Sequence, residues 1–368
     1  MNLRAQSPFL LAATLHAAAL LPLAMLTRFT PACIPGLIDL TAQAEEMLFG
    51  FAPALIAGFL LPAREHRRIG GMLLLWVLAR LLRLPDGPGF LPDILSLAFI
   101  ALLGWRLVRV TWPPAQRFSH YLPAASVLML AVAACINYAG AGWHAHEVRN
   151  LGLLMATTAI AALMPFSGGG VAPPVVARAA EMAARQRLPA MQPGMATIIA
   201  TLILTAGGLL VTPLPPSAPG LLLIGAGGLV CIRLLRRRPW QPVGRPDVVA
   251  LFIGHGWLGA GLILLGTHLS GIGPVSAVGV HALTIGALGI LGSHAIIRRS
   301  AAITAWRRMQ WPLFAAIMLS AALLLRLTLA YSPVAMLIAA LLWALALLIA
   351  AAAAFISMSH QPPSPSLD

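Results

Sequence analysis

The sequence predicts an all-α, polytopic integral membrane protein with about twelve transmembrane helices and both termini in the cytoplasm. It is 60% hydrophobic and 9% charged, with a mean hydropathy of +0.89, whereas a soluble domain carries roughly 25% charged residues. Most of its apolar segments approach the ~20 residues that a spanning helix needs. We therefore expect a single transmembrane domain over residues 1–356 and a disordered, Pro/Ser-rich tail over 357–368.

The predicted spans follow one another along the whole chain. In order they are 8–26, 42–61, 69–84, 90–110, 121–140, 150–166, 195–214, 219–235, 248–265, 275–297, 311–330 and 333–356. The first span lacks a clear small-residue cleavage site, which favours a retained helix over a signal peptide. The third span is short and carries Arg80 and Arg83 at its far end, where we expect their side chains to snorkel toward the interface.

The basic residues predict the orientation of these spans. All 24 are arginines, and with 10 acidic residues they give a net charge of +14. In a soluble protein this balance would suggest nucleic acid, but here the arginines lie in short loops, where they orient a membrane protein. We expect no nucleic-acid partner. With the N-terminus inside, 19 arginines are cytoplasmic and five lie on the other side: Arg28, Arg80, Arg83, Arg149 and Arg326.

The tenth span contains the strongest candidate site. His281 lies inside the apolar run 275–297, followed at three-residue steps by Gly286, Gly289 and Gly292. A titratable group within a span is costly, which makes it a candidate functional residue. The alternative is that His281 simply hydrogen-bonds a carbonyl of the next helix. The glycines form a bare ridge that a neighbouring helix or a flat ligand can approach closely.

Two packing predictions follow for this region. Gly286 and Gly289 should face another helix at close range, because a bare ridge gains nothing in lipid. The ninth and tenth spans are joined by the short loop 266–274, so they should be antiparallel neighbours.

The predicted orientation gathers polar side chains in the outer half of the bundle: Gln43, Glu45, Glu46, His144, His146, His268 and His281. Histidines and carboxylates at one depth are typical of a haem, a copper ion or a proton path. His144 and His146 could bind copper or zinc from a loop, although no third ligand follows at a definite spacing, and each is otherwise a solvated loop residue. The cysteines, Cys33, Cys135 and Cys231, are far apart and predict packing rather than a disulfide or metal site.

Three stretches carry a resemblance to a known family. The segment 280–289 resembles the H-A-L-T-x-G-A-x-G motif of the NnrS family of polytopic membrane haem proteins, which are linked to the nitric oxide response and denitrification. The segment 251–258 is similar to that family's H-x-G-Y-x-W-L helix. The segment 46–51, continued at 56–61, is similar to its H-A-H-E-M-L-F-G-F and A-G-F-L-L sequences.

The departures from these motifs fall on histidines. Gln43 and Glu45 stand where the H-A-H-E-M segment has its two histidines. The ninth span lacks the histidine of the H-x-G-Y motif and has His255 three residues further on. Among these motif positions, His281 alone keeps the family's imidazole.

The resemblance implies a haem-associated, multi-pass protein of the bacterial inner membrane in the nitric oxide or nitrosative stress response. Nitric oxide or a nitrosylated metal species would be its small-molecule ligand, and copper is the second candidate cofactor. His281 would be an axial ligand, oriented by a group on its other nitrogen, with its ring within reach of Glu45 or Glu46. The further candidate cofactor-binding residues are His255, Glu46, Met47, Glu45, Gln43, Trp257, Gly286 and Gly289.

Other functions are open from the residues alone. A transporter or channel could use a polar path lined by Glu45, Glu46 and His281 without a metal. A third alternative is a non-catalytic scaffold that keeps the fold. The sequence assigns no catalytic residue and leaves open whether the protein is an enzyme.

Overall fold

The described part of the chain folds into twelve successive longer helices, apart from two short 3₁₀ turns. The computed structural model describes residues 7–29, 34, 37, 40–61, 66–86, 89–111, 118–167, 193–236, 245–300 and 304–359. The helices are α1 Ser7–Phe29, α2 40–60, α3 His66–Asp86, α4 Phe90–Thr111, α5 Leu122–Gly142, α6 His146–Ala161, α7 Pro193–Leu209, α8 Ser217–Arg236, α9 Pro246–Leu269, α10 Ser276–Arg299, α11 Ala305–Thr328 and α12 Pro333–Ser359. The predicted all-α architecture of twelve segments is confirmed.

Nine of the described helices are long and apolar enough to cross a membrane. The other three are α2, which is interrupted, α3, which carries several arginines, and α7, whose apolar part Gly194–Leu209 is shorter. The chain is thus a multi-pass membrane protein with the lipid bilayer as its surroundings.

Helix α6 begins at His146, four residues before the predicted start. Helix α12 continues to Ser359, and residues 360–368 of the predicted tail lie outside the described part.

Helices α9 and α10 are antiparallel neighbours, as predicted. A Cβ added at Gly279 would lie 2.7 Å from the backbone nitrogen of Leu265, and one at Gly261 would lie 3.1 Å from that of Leu283. Successive contacts therefore ascend one helix while descending the other. The close approach depends on glycine, because any side chain at these positions would meet backbone atoms.

The glycine ridge of α10 packs against neighbouring helices, which confirms the prediction for Gly286 and Gly289. A Cβ at Gly286 would lie 2.7 Å from Cγ of Trp257, on α9. A Cβ at Gly289 would lie 3.1 Å from Cζ3 of Trp343, on α12, and 3.3 Å from Cδ1 of Leu319, on α11. Among the nine long apolar helices of the described chain, α10 has the largest buried share. It is therefore the central helix of the described bundle.

Helices α2 and α10 each contain a π-helical segment. In α2 it covers Glu46–Phe51, between the α-helical parts Leu40–Glu45 and Ala52–Leu60; in α10 it covers Ala282–Gly289, directly after His281. Such wide turns inside α-helices frequently occur at functional sites, because they shift the direction of side chains and loosen the backbone hydrogen bonding. Both segments fall within the stretches that carry the family resemblance.

Candidate functional site

Helix α2 carries two buried glutamates that form ion pairs with arginines of α3 and α6. Glu45 is 0% exposed and Glu46 is 4% exposed. Arg149 donates from Nε to Glu45 Oε1 at 2.7 Å, and Arg80 donates from Nη1 to Glu46 Oε1 at 2.6 Å. Arg83 bridges the two carboxylates, pairing with Glu45 and lying 3.4 Å from Glu46. These five residues form the core of what we call the ionic cluster.

Groups from α1 and α4 complete the ionic cluster. His16 Nε2 lies 3.1 Å from Glu46 Oε2, and its ring packs edge-on against Trp76. Asp93 Oδ1 lies 3.3 Å from Arg83 Nη1, and Ser96 accepts a hydrogen bond from Arg80. The cluster thus joins α1, α2, α3, α4 and α6. The prediction that Arg80 and Arg83 snorkel to the interface is wrong: both are buried, at 4% and 2% exposure, because the glutamates compensate their charges.

The local shape of α2 makes room for the ionic cluster. A Cβ at Gly50 would lie 2.8 Å from Arg80 Nη1 and 3.2 Å from Glu46 Oε2. The carbonyl of Gly50, inside the π-helical segment, accepts a hydrogen bond from Trp76 Nε1 at 2.9 Å. The glycine therefore leaves space for the guanidinium, and the π-helical backbone offers an acceptor to the indole beside it.

The ionic cluster is balanced in charge. Three arginines, Arg80, Arg83 and Arg149, face three carboxylates, those of Glu45, Glu46 and Asp93. A buried charge is stable only when it is paired, because desolvation costs several kcal/mol per ion. Since the arginines and the carboxylates are equal in number, the cluster joins five helices without a net charge from these six groups.

His281, on α10, belongs to a second polar site. This site contacts the face of α2 opposite to the ionic cluster. Arg326 of α11 donates from Nε to His281 Nε2 at 2.8 Å, and its Nη1 lies 3.9 Å from the sulfur of Met336. His281 and Arg326 line a cavity of about 70 Å³ between α1, α2, α10, α11 and α12. The lining is Leu21, Gln43, Ala44, Met47, Leu48, Val280, His281, Thr284, Ile285, Arg326 and Trp343. We call this space the His281 cavity.

The structure separates residues that the sequence placed together. Gln43 and Met47 share the His281 cavity with His281, as predicted for one site. Glu45 and Glu46 lie in the ionic cluster instead, and the predicted contact of either glutamate with His281 is not found among the described residues. The two positions that carry histidine in the family motif therefore belong to different sites here.

The residues around His281 do not fit a haem. The Nε2 atom that would bind iron accepts the hydrogen bond from Arg326, and a porphyrin needs an open face over the ring. A cavity of about 70 Å³ holds only a few water molecules, at roughly 10–15 Å³ each. The glycine ridge at Gly286 and Gly289, which was predicted to leave room for a flat ligand, is covered by the indoles of Trp257 and Trp343. The ridge therefore serves helix packing.

The remaining candidate ligands are dispersed. His144 and His146 are exposed, on a turn and at the start of α6, and His144 has a positive φ of 55°. His268 Nδ1 is hydrogen-bonded to the carbonyl of Pro274 at 2.9 Å. His255 is buried and bonds through Nδ1 to the carbonyl of Leu251 in the preceding turn. Within the described residues, no group of three or more His, Cys, Asp or Glu side chains could hold a metal ion.

Trp257 and Cys231 have structural contacts. Trp257 packs on Gly286 and donates from Nε1 to Ser320 Oγ at 3.0 Å, so it ties α9 to α11 across α10. Cys231 packs as predicted, since a Cβ added at Gly259 would lie 3.0 Å from its Sγ. Cys135 is exposed instead, and Cys33 lies outside the described residues.

Sequence reasoning missed the partners of the predicted residues. Arg80 and Arg83 are three positions apart, so they lie on one face of α3. Charged residues within a span usually face the bundle interior, and this spacing was the available signal. Arg326 and Arg149 gave a similar signal. Both belong to the five arginines on the non-cytoplasmic side, where the positive-inside rule predicts few. Nothing in the sequence pointed to His16 as a neighbour of Glu46.

The fold and its two polar sites define a class: a multi-pass α-helical membrane protein with a neutralised ionic cluster and a small polar cavity inside the bundle. The pattern of the NnrS protein family matches residues 6–360, nearly the whole chain. The chain therefore belongs to the NnrS family. No curated protein and no solved structure matches it.

Proposed function

We propose that this protein acts in the response of a bacterial cell to nitric oxide or nitrosative stress, and that the His281 cavity is its working site. Membership of the NnrS family supports the first part. The observation that carries the second part is the 2.8 Å hydrogen bond between Arg326 and His281 in the wall of a cavity between five helices. A half-buried cation beside a neutral imidazole is costly within a membrane span, and such groups mark functional sites.

We propose further that His281 works without a resident haem. Because its Nε2 accepts from Arg326, the ring is neutral and carries its proton on Nδ1. His281 therefore holds the guanidinium in place and presents an N–H group at its other nitrogen. The family resemblance implies an iron ligand at this position, but the hydrogen bond, the cavity volume and the indoles over the glycine ridge favour a small polar ligand instead.

The test is the variant His281→Ala, with His144→Ala as its control, because His144 is exposed. In a bacterial strain that lacks its own copy, wild-type protein should restore growth in the presence of a nitric oxide donor. His281→Ala should lose most of that advantage, since Arg326 loses its acceptor, while His144→Ala should grow like wild type. Equal growth of both variants would contradict the proposed site.

Absorption spectra of the same purified proteins separate the two cofactor hypotheses. Without haem at His281, wild type and His281→Ala should have the same spectrum in the Soret region. A Soret band in wild type that disappears or shifts in His281→Ala would return His281 to the role of axial ligand, and the metal-free site would then be wrong.

We also propose that both termini lie in the cytoplasm and that the protein resides in the bacterial inner membrane, as one transmembrane domain over residues 1–356 with a tail after it. The 19-to-5 distribution of arginines supports this orientation. A reporter that is active only in the cytoplasm should be active when fused after Asp368. The same reporter inserted at Gly271, between α9 and α10, should be inactive. The opposite pattern would reverse the orientation.

A further inference from the structure

Arg326 has no carboxylate partner among the described residues, and in this it differs from the arginines of the ionic cluster. Its Nε donates to a neutral imidazole and its Nη1 lies beside a thioether. Arg80, Arg83 and Arg149 each pair with a glutamate instead. A half-buried guanidinium that contacts only neutral groups has no counter-charge of its own and can pair with an anionic ligand.

The surroundings of Arg326 add further positive charge. Arg28, at the end of α1, is the charged group that acts electrostatically on Arg326, and it has the same sign. The glutamates of α2 are already neutralised in the ionic cluster on the other face of that helix. The charged side chains that act on the cavity are therefore arginines.

The walls of the cavity provide hydrogen-bond donors around this charge. Nη2 of Arg326 donates no hydrogen bond to a described residue, and Arg326 lines the cavity. The side-chain amide of Gln43 lies in the same lining and contributes an NH₂ group with two donors. His281 contributes the N–H of Nδ1. The rest of the lining is mostly apolar, and hydrogen bonds are electrostatically stronger in such low-dielectric surroundings than in water.

We propose that the His281 cavity binds one small monovalent anion, held by Arg326 and oriented by Gln43 and His281. A volume of about 70 Å³ suits a planar anion of the size of nitrate or formate, or a halide, better than a larger organic acid. A planar oxyanion suits the guanidinium because the two can form parallel hydrogen bonds. This inference rests on the proposed role of the cavity as the working site, and names its ligand class.

Calorimetric titration of the purified full-length protein tests the proposal. Sodium nitrate and sodium formate are the probes, and sodium gluconate at the same ionic strength is the control for size. Wild type should bind nitrate or formate at one site per chain and should not bind gluconate. Arg326→Gln should weaken binding at least tenfold, because it removes the charge. The matched control is Arg236→Gln, which makes the same change at an exposed arginine at the end of α8, and its affinity should equal that of wild type.

A second variant keeps the proposal testable if Arg326→Gln does not fold. Gln43→Leu removes the amide at similar volume and should weaken binding severalfold while leaving the charge in place. Equal affinity of wild type and Gln43→Leu, equal affinity of wild type and Arg326→Gln, or equal binding of gluconate and nitrate would each overturn the proposal. If His281→Ala loses growth under nitric oxide but no anion binds to wild type, the anion site fails and the working site stands. If anions bind and growth is indifferent to His281, the proposed function fails instead.

Discussion

Glu45→Ala should strongly destabilise the protein, by about 3–5 kcal/mol. Glu45 is fully buried and forms ion pairs with Arg83 and Arg149. Removing its carboxylate leaves two guanidinium groups short of a partner inside the bundle, where each unpaired charge is expensive. The measurement is the free energy of unfolding in detergent, or the midpoint of thermal unfolding followed by circular dichroism.

The control for this prediction is Glu147→Ala. Glu147 is an exposed carboxylate in the first turn of α6, two residues before Arg149, so its removal should cost no more than about 0.5 kcal/mol. Adding Arg149→Met to Glu45→Ala should recover part of the loss, because one of the two guanidinium groups that lost this carboxylate disappears. If Glu45→Ala were as stable as Glu147→Ala, the ionic cluster would not be holding the helices together.

Five arginines lie on the side of the membrane where the positive-inside rule predicts few, and they show which signal for the sites the sequence contained. They are Arg28, Arg80, Arg83, Arg149 and Arg326. Three belong to the ionic cluster, one holds His281, and Arg28 lies near enough to act on that last guanidinium. The exceptions to the charge rule were therefore the better signal for the sites.

Helix identity and the packing of α10 could be predicted because they depend on local pattern. Apolar length gave the twelve segments, and the bare ridge at Gly286 and Gly289 required a close neighbour. The indoles that fill the ridge come from Trp257 and Trp343, on two other helices. Periodicity along one helix cannot reveal which side chain of a distant helix occupies such a groove.

The partners of Glu45 and His281 could not be predicted for a related reason. Glu45 and Arg149 are 104 positions apart, and His281 and Arg326 are 45 apart. The π-helical segments beginning at Glu46 and Ala282 also rotate the following side chains relative to a regular α-helix. Depth in the membrane could be estimated from the sequence, but the face of α2 on which each polar group lies could not.

The last prediction concerns two glycines of α9 that should respond in opposite ways to the same substitution. A Cβ at Gly266 would lie 2.6 Å from the carbonyl oxygen of Gly220 and 2.9 Å from the backbone nitrogen of Ile224, both on α8. Since backbone atoms cannot move aside as side chains can, Gly266→Ala should force α8 and α9 apart and cost roughly 1–3 kcal/mol or more.

Gly256→Ala is the matched control on the same helix, because a Cβ there meets nothing within 4 Å. Alanine favours a helix over glycine by about 1 kcal/mol, so this variant should be as stable as wild type or more stable. Glycines seven residues apart on both helices, Gly220 with Gly227 and Gly259 with Gly266, produce this close packing, and small residues at a packed face let the helix backbones approach. Thermal unfolding in detergent should therefore give a lower midpoint for Gly266→Ala and an unchanged or higher one for Gly256→Ala. Equal midpoints for the two variants would show that α8 and α9 do not pack through their glycines.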